Sequence, residues 1–167
     1  MSFLVRKINR NNWDANITDI SHIGADAITN CMRTKKNCMS VYEIPSEANI
    51  NDALLAIASN FDNPDTFDVV LMKKGDIKKL NIELIQNPGA TPIELLQNAH
   101  FDITGLSYRK LGTIANYIVD CIRKKRIVRC TRGELKEIFL NAKSEGLVDP
   151  KLLKKNFRIQ IYGIFTS

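Results

Sequence analysis

The chain has 167 residues, 44% of them hydrophobic and 25% charged, with a formal net charge of +6. Those values suit a folded globular domain with a sizeable core and argue against a disordered chain. No stretch reaches the roughly 18 apolar residues of a membrane span, and the Met1–Lys7 start lacks the long apolar segment of a secretory leader.

The first strand is expected over Phe3–Ile8, followed by a polar loop holding the single tryptophan, Trp13. A short helix from Gly24 to Arg33 would put Ile23, Ala27, Ile28 and Cys31 on one side. Met39–Ile44 reads as a strand ended by Pro45. A clearer helix follows, capped by Asn51, with Ile50, Leu54, Ile57, Ala58 and Phe61 in a stripe. Asp62-Asn63-Pro64-Asp65 is turn chemistry, and Phe67–Met72 is a β-rich run suited to burial on both faces. Lys74-Gly75-Asp76 reads as a turn and Leu80–Ile85 as a strand, before Asn87-Pro88-Gly89 breaks the chain.

Thr91-Pro92-Ile93-Glu94 predicts a capping box opening a helix. Ser107 begins a long helix with Leu111, Ile114, Ala115, Ile118 and Ile122 on its inner face. Arg126–Cys130 reads as a short strand. Thr131-Arg132-Gly133-Glu134 is a second capping box, and Leu135, Ile138, Phe139 and Ala142 form the buried side of its helix. Gly146 ends that helix, Asp149-Pro150 starts a third through Lys155, and Arg158–Tyr162 alternates like a strand.

The sum is an α+β fold, with a small mixed or antiparallel sheet from the N-terminal two thirds and a helical C-terminal part. The chain reads as one domain, 1–167, within which a composition shift separates a strand-containing part (1–88) from a basic, mainly helical part (89–167).

Charge is the strongest functional signal. Residues 1–100 carry 10 basic and 12 acidic side chains, and residues 101–167 carry 14 and 6, so the two parts stand at −2 and +8. Six of the ten residues from Arg123 to Arg132 are Lys or Arg, with no carboxylate among them. Packing cations this closely costs mutual repulsion that a bound anion relieves. The candidate anion-binding or nucleic-acid-binding set is therefore Arg123, Lys124, Lys125, Arg126, Arg129 and Arg132, extended by Lys151, Lys154 and Lys155. The run contains no aromatic residue to stack bases, which favours contact with a phosphate backbone or an acidic protein surface.

Other chemistry is weaker. The C-terminal order resembles a helix-turn-helix arrangement, with Asp149–Phe157 as recognition element, but the helix before it is long and no wing follows. Asp68 and Glu83 could hold a divalent cation in a nuclease, yet Glu83 is followed by Leu84-Ile85-Gln86, without the activating lysine. Arg6, Ser40 and a later glutamate loosely parallel an ADP-ribosyl-transfer site, with no spacing to constrain them. Cys31, Cys38, Cys121 and Cys130 lack zinc-knuckle spacing, and with only His22 and His100 to assist, no metal site is expected. No cofactor or catalytic residue is expected either. The leading expectation is a non-enzymatic accessory or binding subunit of a cytosolic, prokaryotic assembly, in contact with nucleic acid or a nucleic-acid-processing protein partner. The alternatives are a small toxin-like enzyme of either kind above and a purely protein-binding module for an acidic partner.

Overall fold

A computed structural model describes residues 1–13, 23–32 and 36–164. Its centre is a six-stranded, wholly antiparallel sheet formed by β1 (Phe3–Ile8), β2 (Met39–Ile44), β3 (Phe67–Lys73), β4 (Glu83–Gln86), β5 (His100–Thr104) and β6 (Ile127–Cys130). The order across the sheet is β4-β5-β2-β1-β3-β6, so the first strand and the hydrophobic Phe67–Lys73 run lie side by side in its interior. With helices concentrated in the later part of the chain, this is an α+β fold.

Both faces of the sheet are covered. One core packs Phe3, Val5, Ile44, Val69 and Leu71 against α1 (Ile50–Ala58), α5 (Arg132–Ser144) and α6 (Lys155–Tyr162). The other packs Leu4, Ile8, Met39, Val41, Val70 and Met72 against α2 (Lys74–Lys79) and α4 (Tyr108–Arg123). Because successive side chains of a strand alternate in direction, β3 needs apolar residues at successive positions to serve both cores, and only Asp68 and the terminal Lys73 depart from this. Burying an aliphatic or aromatic side chain in such a core contributes about 1.5–3 kcal/mol, so the two layers dominate stability.

The helices begin and end where local chemistry demands. Ser107 caps α4, its hydroxyl accepting from the Lys110 amide. Thr131 and Glu134 form the complete reciprocal box at the start of α5. Several expectations need correction. Lys74-Gly75-Asp76 is not a turn but the first turn of α2, helped by Tyr117, whose hydroxyl donates to Asp76 at 2.8 Å. The strand expected over 80–85 lies later, at Glu83–Gln86, because Asn81 takes a left-handed conformation (φ 55°). Asn51 lies inside α1, whose capping position is Asn49. Thr91 caps nothing in the expected way: α3 (Glu94–Gln97) starts after Ile93, and the buried Thr91 hydroxyl instead meets Ser59 at 2.9 Å. The expected Gly24–Arg33 helix is π-helical over Ala27–Cys31, and Arg33, like His22, lies outside the described residues.

Arg158–Tyr162 is not a strand. It belongs to α6, where Phe157 and Ile161, four apart, face the same core and Phe157 meets Phe139 edge to face at 4.9 Å. The helix expected from Asp149 through Lys155 is only a 3-10 turn, Pro150–Leu152, after which Leu153 is extended. A continuous recognition helix over Asp149–Phe157 therefore does not exist.

Candidate functional site

The basic run is built by the α4–β6 connection. Lys125 is left-handed (φ 56°), its amide donates to the Ile122 carbonyl (3.0 Å), and the Arg126 amide reaches back to Cys121 (2.9 Å). This is the hydrogen-bond pattern of a Schellman helix end, whose left-handed position is normally glycine because a Cβ there costs about 1–2 kcal/mol. The same molecule shows the ordinary solution at the end of α5, where Gly146 (φ 74°) donates to Lys143 and Leu147 donates to Ala142. At α4 a lysine occupies that position. It throws its ammonium, with the Lys124 ammonium and the Arg123 guanidinium, onto the exposed corner where the helix dipole is negative.

The structure divides the sequence-defined cations between the two ends of β6, about 10 Å apart along the strand. At one end stand Arg123, Lys124, Lys125 and the half-buried Arg126; Arg123 lies 3.6 Å from Asp120. In the middle, Arg129 lies 3.7 Å from Asp68 across the β3–β6 pair. At the other end, Arg132 donates to Gln160 (3.0 Å), Gln160 donates to Asn63 (2.7 Å), and Lys154 pairs with Asp62 at 3.0 Å. Lys151 and Lys155 are exposed beyond them. Five of the nine are thus engaged within the protein, Arg126 through a side-chain contact with the Cys121 thiol, while Lys124, Lys125, Lys151 and Lys155 stand exposed with no ion pair among the described residues. The long exposed aromatic nearest in sequence, Tyr108, begins α4 and sits some 22 Å along the helix from its basic end.

The carboxylates and the arginine of the enzymatic readings are kept apart. Asp68 on β3 and Glu83 on β4 are separated by three intervening strands, a distance on the order of 19 Å, too far for one metal ion. Arg6 projects to the α4 side of β1, where its guanidinium donates to the carbonyls of Cys31 (3.1 and 3.2 Å) and Ser40 (2.8 Å). The Ser40 hydroxyl points to the opposite face. Burial pulls the Arg6 pKa down, with Cys31 opposing that shift.

That opposite face carries a polar cluster that the sequence did not reveal. Ser40 donates to Asp102 (3.2 Å), Asn87 donates to the same carboxylate (2.7 Å), and the buried His100 places Nδ1 on the Asn87 carbonyl. The His100 Nε2 stands 4.0 Å from Asp102 and makes no hydrogen bond among the described residues. An adjoining cleft of about 230 Å³ is lined by Val5, Lys7, Ser40, Tyr42, Asn60 and His100. Lys7 lies over the Phe61 ring at 4.1 Å, and burial lowers its pKa against the pull of Asp65. The order of contacts is wrong for a nucleophilic triad: the serine donates its hydrogen bond to the carboxylate, and the imidazole orients itself on a backbone carbonyl. Its chemistry is that of a hydrogen-bonded clamp joining β2, β5 and the loop after β4. Only register brings these residues together (Ser40 opposite Asp102), and no signal of spacing could have found it.

Comparison with protein-family models, with curated proteins and with solved structures finds no match to this chain. Among the described residues, no helix is long and apolar enough to cross a membrane, and no group of three or more His, Cys, Asp or Glu could hold a metal ion.

Proposed function

We propose that this protein is a non-enzymatic binding subunit of a cytosolic, prokaryotic assembly, and that it engages a polyanionic partner through the cationic corner formed by Arg123, Lys124, Lys125 and Arg126. The partner is nucleic acid or an acidic face of a nucleic-acid-processing protein. The observation that carries the reading is Lys125: a charged side chain occupies a left-handed helix end where glycine would be cheaper, and its exposed neighbours share its sign. Backbone strain held at an exposed charged position is typical of recognition sites.

One further feature favours contact with a phosphate backbone or an acidic protein surface over base reading. No aromatic residue lies in the run, so bases would find no stacking surface there.

The test is a salt titration of binding to random duplex and single-stranded DNA, with the quadruple reversal of Arg123, Lys124, Lys125 and Arg126 to glutamate as control. If these four cations meet phosphates, the log–log salt slope is about −3 to −4. The reversal should abolish binding while circular dichroism stays unchanged. Where binding is to an acidic protein, the complex survives nuclease treatment. Absence of any salt-sensitive binding, to DNA or to acidic polypeptide, rejects the proposal.

A further inference from the structure

The strand β6 lies at the end of the sheet and pairs with β3 alone. Its hydrogen-bond phase follows from one contact just beyond the paired segment, where the Leu71 amide donates to the Arg126 carbonyl at 3.0 Å. In an antiparallel pair the bonded positions alternate, so Arg126, Val128 and Cys130 turn their peptide groups toward β3. Ile127 and Arg129 turn theirs outward, and two amides and two carbonyls face away from the sheet.

The two sides of this edge differ chemically. On the α1–α5 side runs a groove of about 280 Å³ whose apolar wall is Ile50, Leu54, Val128 and Ile138. Glu134 and Glu137 stand along the same groove and would repel an acidic side chain there. On the α4 side stand Arg129 and the cationic helix end.

We infer that β6 accepts an additional strand from a partner protein: an extended segment that alternates apolar and acidic residues. This rests on the proposed polyanion-binding reading and names its partner. Backbone pairing with Ile127 and Arg129 would supply affinity, and the alternation would supply specificity. Apolar residues enter the groove, and the acidic residues between them, pointing to the other face, meet Arg129 and the Arg123–Lys125 corner. A second copy of this chain is disfavoured as occupant, since pairing two β6 edges brings like charges together. Cations on an edge strand also serve to prevent unwanted pairing, and the test must separate that role from recognition.

The experiment uses the full chain, isotope-labelled, with an end-blocked eight-residue peptide alternating valine and aspartate. Controls are the same residues in two blocks, a valine–lysine alternation, and the alternating peptide N-methylated at every amide. The inference expects the valine–aspartate alternation to bind at least tenfold tighter than any control. It also expects slower amide exchange at Ile127 and Arg129, with Val128 and Cys130 unchanged because β3 already holds them. Ile138→Asn and Arg129→Glu should each weaken binding fivefold or more, with folding checked by circular dichroism. Equal binding of both acidic peptides without protection at Ile127 and Arg129 overturns strand addition but leaves the polyanion reading standing. Salt-sensitive binding to DNA with no peptide binding likewise overturns strand addition alone. Concentration-dependent self-association protecting the same two amides also overturns the inference. Failure of every peptide and of DNA removes both readings, with the cationic edge then acting only against aggregation.

Discussion

The two outer strands, β6 and β4, solve the problem of an exposed sheet edge in opposite ways. The β6 strand is enclosed by two helices whose ends are specified on either side of it, a Schellman turn at Lys124–Arg126 and a capping box at Thr131–Glu134. Behind it lies the Phe139–Phe157 contact, and around it lie cations. The β4 strand is mostly exposed and followed by a broken loop. Side chains hold it: Thr104 donates to Glu83 (3.1 Å), Gln86 donates to the Asn98 carbonyl (2.7 Å), and Asn87 clamps Asp102. One edge is apolar beneath and positive outside; the other is a hydrogen-bond network rich in carboxylates. The charge asymmetry along the chain thus becomes a spatial one, between strands on the order of 24 Å apart. An edge anchored by buried area can spare its surface for charge, whereas an edge anchored by polar side chains has them occupied.

The largest expected contrast comes from core deletion. Phe139→Ala, which empties a fully buried site behind β6, should cost about 3–5 kcal/mol in denaturant unfolding, while Ile85→Ala on the exposed side of β4 should change little. Asp102→Ala tests the polar edge: it removes the charged acceptor of the Asn87 amide and the Ser40 hydroxyl, both of which water can then reach, and should cost about 1–2 kcal/mol, with faster amide exchange across β4. A smaller loss, about 1 kcal/mol, is expected for Thr131→Ala at the start of α5.

The Glu134 carboxyl offers a pH check on the same box. Hydrogen bonds from the Thr131 amide and then its hydroxyl hold it below the ordinary carboxylate range. A lowered folded-state pKa favours folding above the unfolded value, and that contribution disappears as pH falls through the lowered one. NMR titration should show Glu134 moving back up toward the ordinary range in Thr131→Ala. The smallest effect has the opposite sign: Lys125→Gly should leave the fold equal or up to about 1 kcal/mol more stable, because glycine accepts the left-handed conformation, while binding to the polyanionic partner weakens. Stability gained and binding retained together would detach Lys125 from recognition.

Legibility followed the range of the interactions. Strands at Phe3–Ile8 and Met39–Ile44 match their sequence patterns because a short run rich in β-prone apolar residues is a local property. The helices after Ser107 and Thr131 are equally readable, since each cap is settled within three residues. The strand His100–Thr104 carries no such pattern: its histidine and aspartate face the polar cluster, so they replace the apolar residues that would have marked it. The segment Arg158–Tyr162 misleads for a related reason, because a two-residue alternation of Ile159 and Ile161 conceals the four-residue spacing of Phe157 and Ile161. Of the candidate surface, the positions of the cations were legible, but their partners were not. The Arg129–Asp68 and Lys154–Asp62 contacts join residues 61 and 92 apart in the chain.

By itself, the sequence determined the class of fold, the caps that bound α4 and α5, and the accumulation of positive charge in the last third, because each depends on residues a few positions apart. The tertiary structure alone decided that β6 would be an edge, that its outward peptide groups would lie between an apolar groove and a cationic corner, and that Ser40, His100 and Asp102 would meet. Those outcomes depend on strand order and register, which arise from burying both faces of one sheet at once rather than from any local preference.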